Sequence, residues 1–344
     1  MFRTKNGLAG LKLAGLGLAA LAASAFSAVA ASAPEFKPAI IFDLGGKFDK
    51  SFNESALNGA ERFKKDTGIE YRDFELQNES QREQALRNFA RRGYSPIIGV
   101  SFSQAQAMEK VAKEFPDLQF AIIDGTVDLP NVRSVVFKEE EGSYLVGLLG
   151  AMASKTGKLG FVGGMDIPLI RKFACGYVQG VKAVNPNAEV FQNMTGTTGD
   201  AWNDPVKGGE LAKSQFDRGA DVVYHAAGGT GLGVLQAAAD AGKLGIGVDS
   251  DQNYLHPGSV LTSMLKRVDN AVYKTFADAK DGKFTSGVIV LGLSDDGVGW
   301  ALDEYNAKLI TPEMKAAADQ ARADIISGKI KVHDYMVDQS CPVQ

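Results

Sequence analysis

Five consecutive residues, Asp49-Lys50-Ser51-Phe52-Asn53, bring together a carboxylate, an ammonium group, a hydroxyl, an aromatic ring and a carboxamide just after Gly45-Gly46. A helix start needs only Ser51 as its cap, with Glu54 three residues on to complete a capping box. The neighbouring ring and amide are surplus to that task and point to the mouth of a binding cleft. Other polar residues stand singly at the ends of apolar runs: Asp43 after Ala39-Ile40-Ile41-Phe42, Asp124 after Phe120 to Ile123, Asp249 after Ile246-Gly247-Val248, and Lys266 after Val260 to Leu265. A carboxylate at such a position can accept two hydrogen bonds from vicinal sugar hydroxyls, and charged acceptors make the stronger kind.

Several other chemistries fail on spacing. Gly228-Gly229-Thr230-Gly231-Leu232-Gly233 follows a strand-like run, but counted from Gly229 the sixth position is Val234, and no Gly-Lys-Ser/Thr follows. It lacks both the dinucleotide and the P-loop pattern. It is either a structural turn or a helix start whose backbone N–H groups, Gly229 among them, bond a ligand's oxygens. Asp249-Ser250-Asp251-Gln252-Asn253 starts like a calcium loop, but Tyr254 replaces the required Gly and Val260 the closing Glu. His225, His256 and His333 have no metal-ligand spacing, there is no Gly-x-Ser-x-Gly elbow, and His225 sits in an apolar strand as a packing residue. No metal, no cofactor and no catalytic group is called for.

The elements that position these residues alternate. Strands are expected over Ala39 to Asp43, Tyr71 to Leu76, Pro96 to Val100 and Phe120 to Gly125. Helices are expected between them: one beginning at Ser51 with Ala56, Ala60 and Phe63 on one face, one over Ser80 to Arg92, and one through Met108 and Val111. The series then restarts with strands at Leu159 to Gly164, Val190 to Met194, Asp221 to Ala227 and Ile246 to Asp249. Helices here span Pro168 to Val184, Pro205 to Phe216 and Gly231 to Ala241. Two β/α series with apolar strands predict an α/β chain of two doubly wound parallel-sheet lobes. The segment around Val135 to Gly147 crosses between them. A helix over Arg267 to Asp281 and a strand over Val288 to Leu293 cross back, and Thr311 to Ser327 is a last helix. The N-terminal lobe then takes residues 34–138 plus about 267–293, and the C-terminal lobe 139–266 plus about 294–344. Ligands of open parallel sheets sit at the carboxyl ends of strands, so both sets of ends face one cleft at the hinge.

Of the 344 residues 45% are hydrophobic and 23% charged, the net charge is −4, and 39 glycines accompany 11 prolines. These values describe a globular two-lobed chain and argue against nucleic acid as a partner. Residues 1–30 differ: Arg3, Lys5 and Lys12 precede an Ala/Gly/Leu/Ser-rich run that ends in Ala28-Val29-Ala30, the pattern of a cleaved signal peptide. Neither cysteine, Cys175 or Cys341, lies near that site, so a lipid anchor is not expected, and the periplasm is the expected compartment. Whether the two cysteines pair is open, because pairing needs Cα atoms within about 7 Å.

Asp49-Lys50-Ser51-Phe52-Asn53, Asp124-Gly125, Phe173-x-x-Gly176, Gly228-Gly229-Thr230, Val248-Asp249-x-Asp251-Gln252 and Lys266, in this order over about residues 38–300, resemble the basic membrane protein family. Its members are substrate-binding receptors of ABC importers and include purine nucleoside receptors. Many are lipoproteins; this chain lacks the lipid-bearing cysteine. The resemblance implies the type I periplasmic-binding-protein fold, hinge closure on a nucleoside (purine favoured), a membrane permease as partner, and no enzymatic activity. A monomer is expected. On that reading Phe42 or Phe52 and Trp202 stack on the base, with Phe173 in reserve. Asn53 and Asp124 bond the base's polar edge, Asp43 stands beside them, and Asp249, Lys266 and the Gly229 N–H hold the ribose. The rival readings are the same fold binding a simple sugar and a nucleoside-processing enzyme.

Overall fold

Apolar runs too short for helices and without polar alternation become parallel strands covered on both faces. In the computed structural model, which describes residues 35–343, the first of these is β1 (Ala39–Phe42), buried at every position. The expected signal peptide, residues 1–30, lies outside the described residues. The chain continues through α1 (Phe52–Thr67), β2 (Arg72–Glu75), α2 (Gln81–Arg91), β3 (Ile97–Val100), α3 (Ala105–Glu114), β4 (Phe120–Ile123) and β5 (Val132–Phe137). Next are α4 (Glu139–Ala153), β6 (Lys158–Met165), α5 (Pro168–Val184), β7 (Glu189–Gly196), α6 (Pro205–Asp217), β8 (Val222–Ala226), α7 (Gly231–Asp240), β9 (Leu244–Asp249) and β10 (Val260–Lys266). It ends with α8 (Val268–Lys280), β11 (Gly287–Leu291), β12 (Val298–Trp300) and α9 (Pro312–Ile326).

The strands form two six-stranded sheets, ordered β11-β5-β4-β3-β1-β2 and β12-β10-β9-β8-β6-β7. Every pairing is parallel except β10 with β12. The second order repeats the first strand for strand, so β1 corresponds to β6, β3 to β8 and β4 to β9. In each sheet the order reverses at the first strand of the series, which makes the carboxyl ends of β1 and β3, and of β6 and β8, the natural ligand crevice. Within the described residues the chain passes between the sheets three times: at Lys138 between β5 and α4, at Arg267 between β10 and α8, and over residues 292–297 between β11 and β12.

Close helix contacts brace each sheet. A Cβ at Gly59 of α1 would collide with the Asp269 backbone of α8, and one at Gly180 of α5 with the Tyr144 carbonyl of α4. Cys175 of α5 is bonded to Cys341, with Cα atoms 5.6 Å apart, and this fastens the C-terminal segment to the second lobe.

Three elements differ from the sequence expectation. The stretch read as a crossing contains β5 and then α4, and β12 was not anticipated. Helix α4 is buried on most of its circumference, from Gly142 through Gly150, so it carries little of the polar–apolar periodicity that marks a surface helix. Strand β12 is three residues long, too short for a pattern.

Candidate functional site

The strand ends of both sheets line one cavity between them, with about 600 Å³ of space when the solvent at its mouth is included. From the first lobe its wall includes Asp43, Asp49, Phe52, Asn53 and Asp124; from the second, Phe173, Trp202, Gly228, Asp249 and Lys266.

The turn before α1 is organised by Asp49. Its Oδ1 accepts the N–H groups of Ser51 (2.8 Å) and Glu54 (3.0 Å), and its Oδ2 accepts the N–H (3.0 Å) and Nδ2 (3.1 Å) of Asn53. One carboxylate thus takes up donors that a helix start leaves free. This corrects the capping box expected of Ser51 and Glu54: Ser51 makes no side-chain cap. With Asp49 in that role, the Ser51 hydroxyl is free to cross the cleft and donate to Asp249 Oδ2 at 2.5 Å. Asn53 Oδ1 accepts from Asp43 N (3.0 Å). Bonded at both ends, the Asn53 amide is fixed in orientation, with one Nδ2 hydrogen left over. Asp43 Oδ2 accepts from Ser103 Oγ (2.7 Å), while its buried Oδ1 has no hydrogen-bond donor and faces Arg82 at 3.6 Å.

Asp124 and Asp249 end the corresponding strands β4 and β9 in the same unusual backbone conformation, with φ of 63° and 64°. Such left-handed geometry is costly for a residue with a side chain, and it concentrates at functional sites. Both carboxylates are buried. Asp124 Oδ2 pairs with Lys266 Nζ at 2.5 Å, and Oδ1 has no partner. Lys266 also binds Glu139 Oε1 (2.9 Å), beside the Lys138 crossing. Beyond it, Lys172 bridges Glu139 Oε2 (3.0 Å), Glu140 (3.2 Å) and Asp334 (3.5 Å) and donates to the Phe137 carbonyl (2.8 Å). The expected partnership of Lys266 with Asp249 is therefore indirect. The two lie at neighbouring strand ends, since Leu265 is in register with Asp249, but the ion-pair partners of Lys266 are Asp124 and Glu139.

Burial sets the titration of this group. It raises Asp249 to about 7, against the opposing pull of Lys266 and Ser51. It raises Asp124 only to about 6, because Lys266 is in direct contact. Burial pushes Lys266 down, but Asp124, Glu139 and Asp249 outweigh it and hold its ammonium above the ordinary lysine range. Glu139, buried between two ammonium groups, is held below the usual carboxylate value by Lys266 and Lys172.

Of the residues anticipated from sequence, Asp43, Phe52, Asn53, Asp124, Trp202, Asp249 and Lys266 all line this one cavity, as does Phe173. Two do not. Phe42 is fully buried within the core of the first lobe, because in a strand covered on both faces its ring turns away from the cleft. Gly229 is buried behind Gly228, which lines the cavity and holds the positive φ of 56° that the turn requires. Asp49, Ser101 and Phe102 line the cavity without having been singled out as ligand residues. Ser101 and Phe102 follow the apolar run of β3, so the strand-end rule already covered them. Among the described residues no group of His, Cys, Asp and Glu is arranged to hold a metal ion, and no helix is long and apolar enough to cross a membrane.

Residues 36–335 match the family described as ABC transporter substrate-binding protein PnrA-like. The chain is 37% identical to the ABC transporter nucleoside-binding protein BmpA of Lactococcus lactis subsp. cremoris, over 87% of this chain and 89% of that one. It is 35% identical to an uncharacterized lipoprotein of Pyrococcus abyssi, over 79% of this chain and 70% of that one. Among solved structures it is similar to an ABC transporter solute-binding protein from Aeropyrum pernix K1. The TM-score is 0.79 at 30% identity, and the match covers 86% of this chain and 92% of that one.

Proposed function

This chain belongs to the family of PnrA-like ABC transporter substrate-binding proteins, and we propose that its ligand is a nucleoside, purine favoured, held between its two lobes. Its fold is the periplasmic-binding-protein fold of solved solute-binding proteins, and its family is one of receptors that serve a membrane permease rather than of enzymes. The observation that carries the reading is the composition of the cavity: aromatic rings and strand-end carboxylates from both lobes line the same space. A simple sugar would use the carboxylates and leave the rings idle. The nucleoside named for the Lactococcus lactis relative fits both.

Phe52 from the first lobe and Trp202 from the second offer their faces to the base, worth ~1 kcal/mol per good stack beyond area burial. The spare Asn53 Nδ2 hydrogen donates to an acceptor on the base edge. Asp124 Oδ1 and Asp43 Oδ1, neither of which has a hydrogen-bond donor, accept from its N–H groups, which favours guanine and hypoxanthine. Asp249 takes the two ribose hydroxyls, with the remaining Lys266 proton available to a ribose oxygen. Residues 34–138 with about 267–293 move as one lobe, 139–266 with about 294–344 as the other, and closure turns on the three crossings.

The mature chain on this reading is a periplasmic monomer that binds no nucleic acid, freed by cleavage of residues 1–30. It carries no lipid, because the only two cysteines, Cys175 and Cys341, are bonded to each other. Acylated protein, or protein in the membrane fraction after osmotic shock, would overturn that placement.

Calorimetry with guanosine, inosine, adenosine, uridine and ribose tests the ligand. Purine nucleosides should bind, with ribose weaker by at least a hundredfold. Tight ribose binding with no nucleoside signal would replace this reading with a sugar receptor.

A further inference from the structure

Outside the cavity, the turn that follows β9 reaches the opposite lobe through residues that touch no ligand space. Gln252 is fully buried, and its side chain is clamped from its own lobe. Its Oε1 accepts from Val248 N (2.9 Å) and lies 3.0 Å from His225 Nε2, while its own N–H donates to Ser263 Oγ (2.9 Å). Gly247 leaves the room for this, since a Cβ there would strike both Gln252 Oε1 and Ser263 Oγ at 2.6 Å.

Two donors meeting at one oxygen decide which way the amide faces. Val248 N–H is one. The other is His225, whose imidazole is fully buried and kept neutral by that burial, with Nδ1 unpartnered, so the single ring proton sits on Nε2 and points at Gln252. The Gln252 NH₂ group is thereby turned outward, where Nε2 donates to the Lys50 carbonyl of the other lobe at 3.0 Å. Lys50 presents that carbonyl from a left-handed backbone with φ of 61°. The next carbonyl, that of Ser51, accepts from Ser250 Oγ, also at 3.0 Å. Neither Ser250, Gln252 nor Lys50 lines the cavity.

We propose that Gln252 and Ser250 form a closure latch, with His225 as the positioning residue that aims it. The two side chains grip consecutive carbonyls of the opposite lobe and set affinity by setting the population of the closed form. Because the latch bonds exist only when the lobes meet, losing one lowers the closed population while the open form keeps its stability. The proposal rests on the two-lobe closure described above, but not on the identity of the ligand.

Gln252→Glu is the selective variant. It keeps an oxygen for Val248 N–H and His225 and replaces only the donor that faces Lys50. Ser250→Ala is the gentler one, on a partly exposed residue. Stopped-flow binding of inosine should show dissociation about tenfold faster for Gln252→Glu and a few-fold faster for Ser250→Ala. Association and the melting temperature of the empty protein should stay near wild type. Pulsed electron–electron resonance between one spin label on each lobe should show both variants with longer inter-lobe distances than wild type when empty. Unchanged dissociation with unchanged distances would overturn the latch. Slower association with a lowered melting temperature would reduce Gln252 to a prop of its own lobe and overturn it equally. If inosine fails to bind wild type, the nucleoside reading falls, and the inter-lobe distances of the empty proteins decide the latch alone.

Discussion

Asp124 and Asp249 occupy the same place in the two lobes, at the ends of corresponding strands and in the same left-handed conformation, yet they meet different partners. Each is met by a residue of the opposite sheet's lobe: Asp124 by the ammonium of Lys266, Asp249 by the hydroxyl of Ser51. The repeated fold therefore delivers two carboxylates to one cleft, and the partner decides their charge. Asp124 belongs to a chain of alternating charges running through Lys266 and Glu139 to Lys172, close to where the polypeptide crosses between lobes. Asp249 has a neutral partner and is raised by burial to about 7. One carboxylate is set up to anchor the hinge side of the cleft. The other, held by a single hydroxyl, is set up to take a ligand's donors beside that partner.

The comparison is broken most severely by removing the ammonium. Lys266→Ala strands Asp124 and Glu139 as buried carboxylates without their shared cation, and chemical denaturation should show a loss of ~3–5 kcal/mol. Asp249→Asn should leave stability within about 1 kcal/mol of wild type, because no buried cation depends on Asp249 alone. Comparable losses from the two substitutions would mean that the lobes do not differ in this way.

A pH series sharpens the same contrast. In the empty protein the folded value of Asp249 lies above the ordinary aspartate value of 3.8, so the folded state holds the proton more tightly. Its contribution to stability is full below that ordinary value and is lost as pH rises through about 7. Ribose hydroxyls donating to the carboxylate favour its ionised form, so binding has the opposite slope. Affinity should improve as pH rises toward 7 and level off above, by up to about tenfold per unit on the acid side. Lys266, Asp49 and Asp124 are the charged groups acting on Asp249. Asp124, at about 6, adds a smaller step at lower pH. Calorimetry with inosine from pH 5.5 to 8 measures this, and Asp249→Asn should flatten the limb near 7. A limb unchanged in Asp249→Asn would assign it elsewhere.

The smallest effect is expected at Ser51. Ser51→Ala removes one bond across the cleft and should weaken inosine binding by ~1 kcal/mol, about fivefold, with no loss of α1, since Asp49 caps that helix. Loss of helix content by circular dichroism would restore Ser51 as the cap.

Much of this arrangement is legible in the residues because the central strands are continuous apolar runs. Their ends can be read directly, and with them Asp43, Asp124, Asp249 and Lys266. What a doubly covered strand does not reveal is which side chain faces which layer, since both faces are apolar; for that reason Phe42 looks as available as Phe52 but lies in the core. Local helix-start patterns also mislead at Ser51. The competition between Asp49, two residues away, and Asp249, 198 residues away, is decided by tertiary structure. The partnership of Lys266 with Glu139 is hidden for the same reason: α4 carries Glu139 at its start but is too thoroughly buried to announce itself as a helix.

The direct test of the ribose assignment crosses Asp249→Ala with the loss of the hydroxyls it is held to grip. Calorimetry would compare inosine and 2′,3′-dideoxyinosine on wild type and variant. For inosine the substitution should cost ~2–4 kcal/mol, roughly thirty- to a thousandfold in affinity, with the melting temperature of the empty protein maintained. For the dideoxynucleoside it should cost far less, because those bonds are already gone. Equal weakening of both ligands, or a lowered melting temperature with affinity intact, would make Asp249 a structural strand cap and contradict the placement of the ribose.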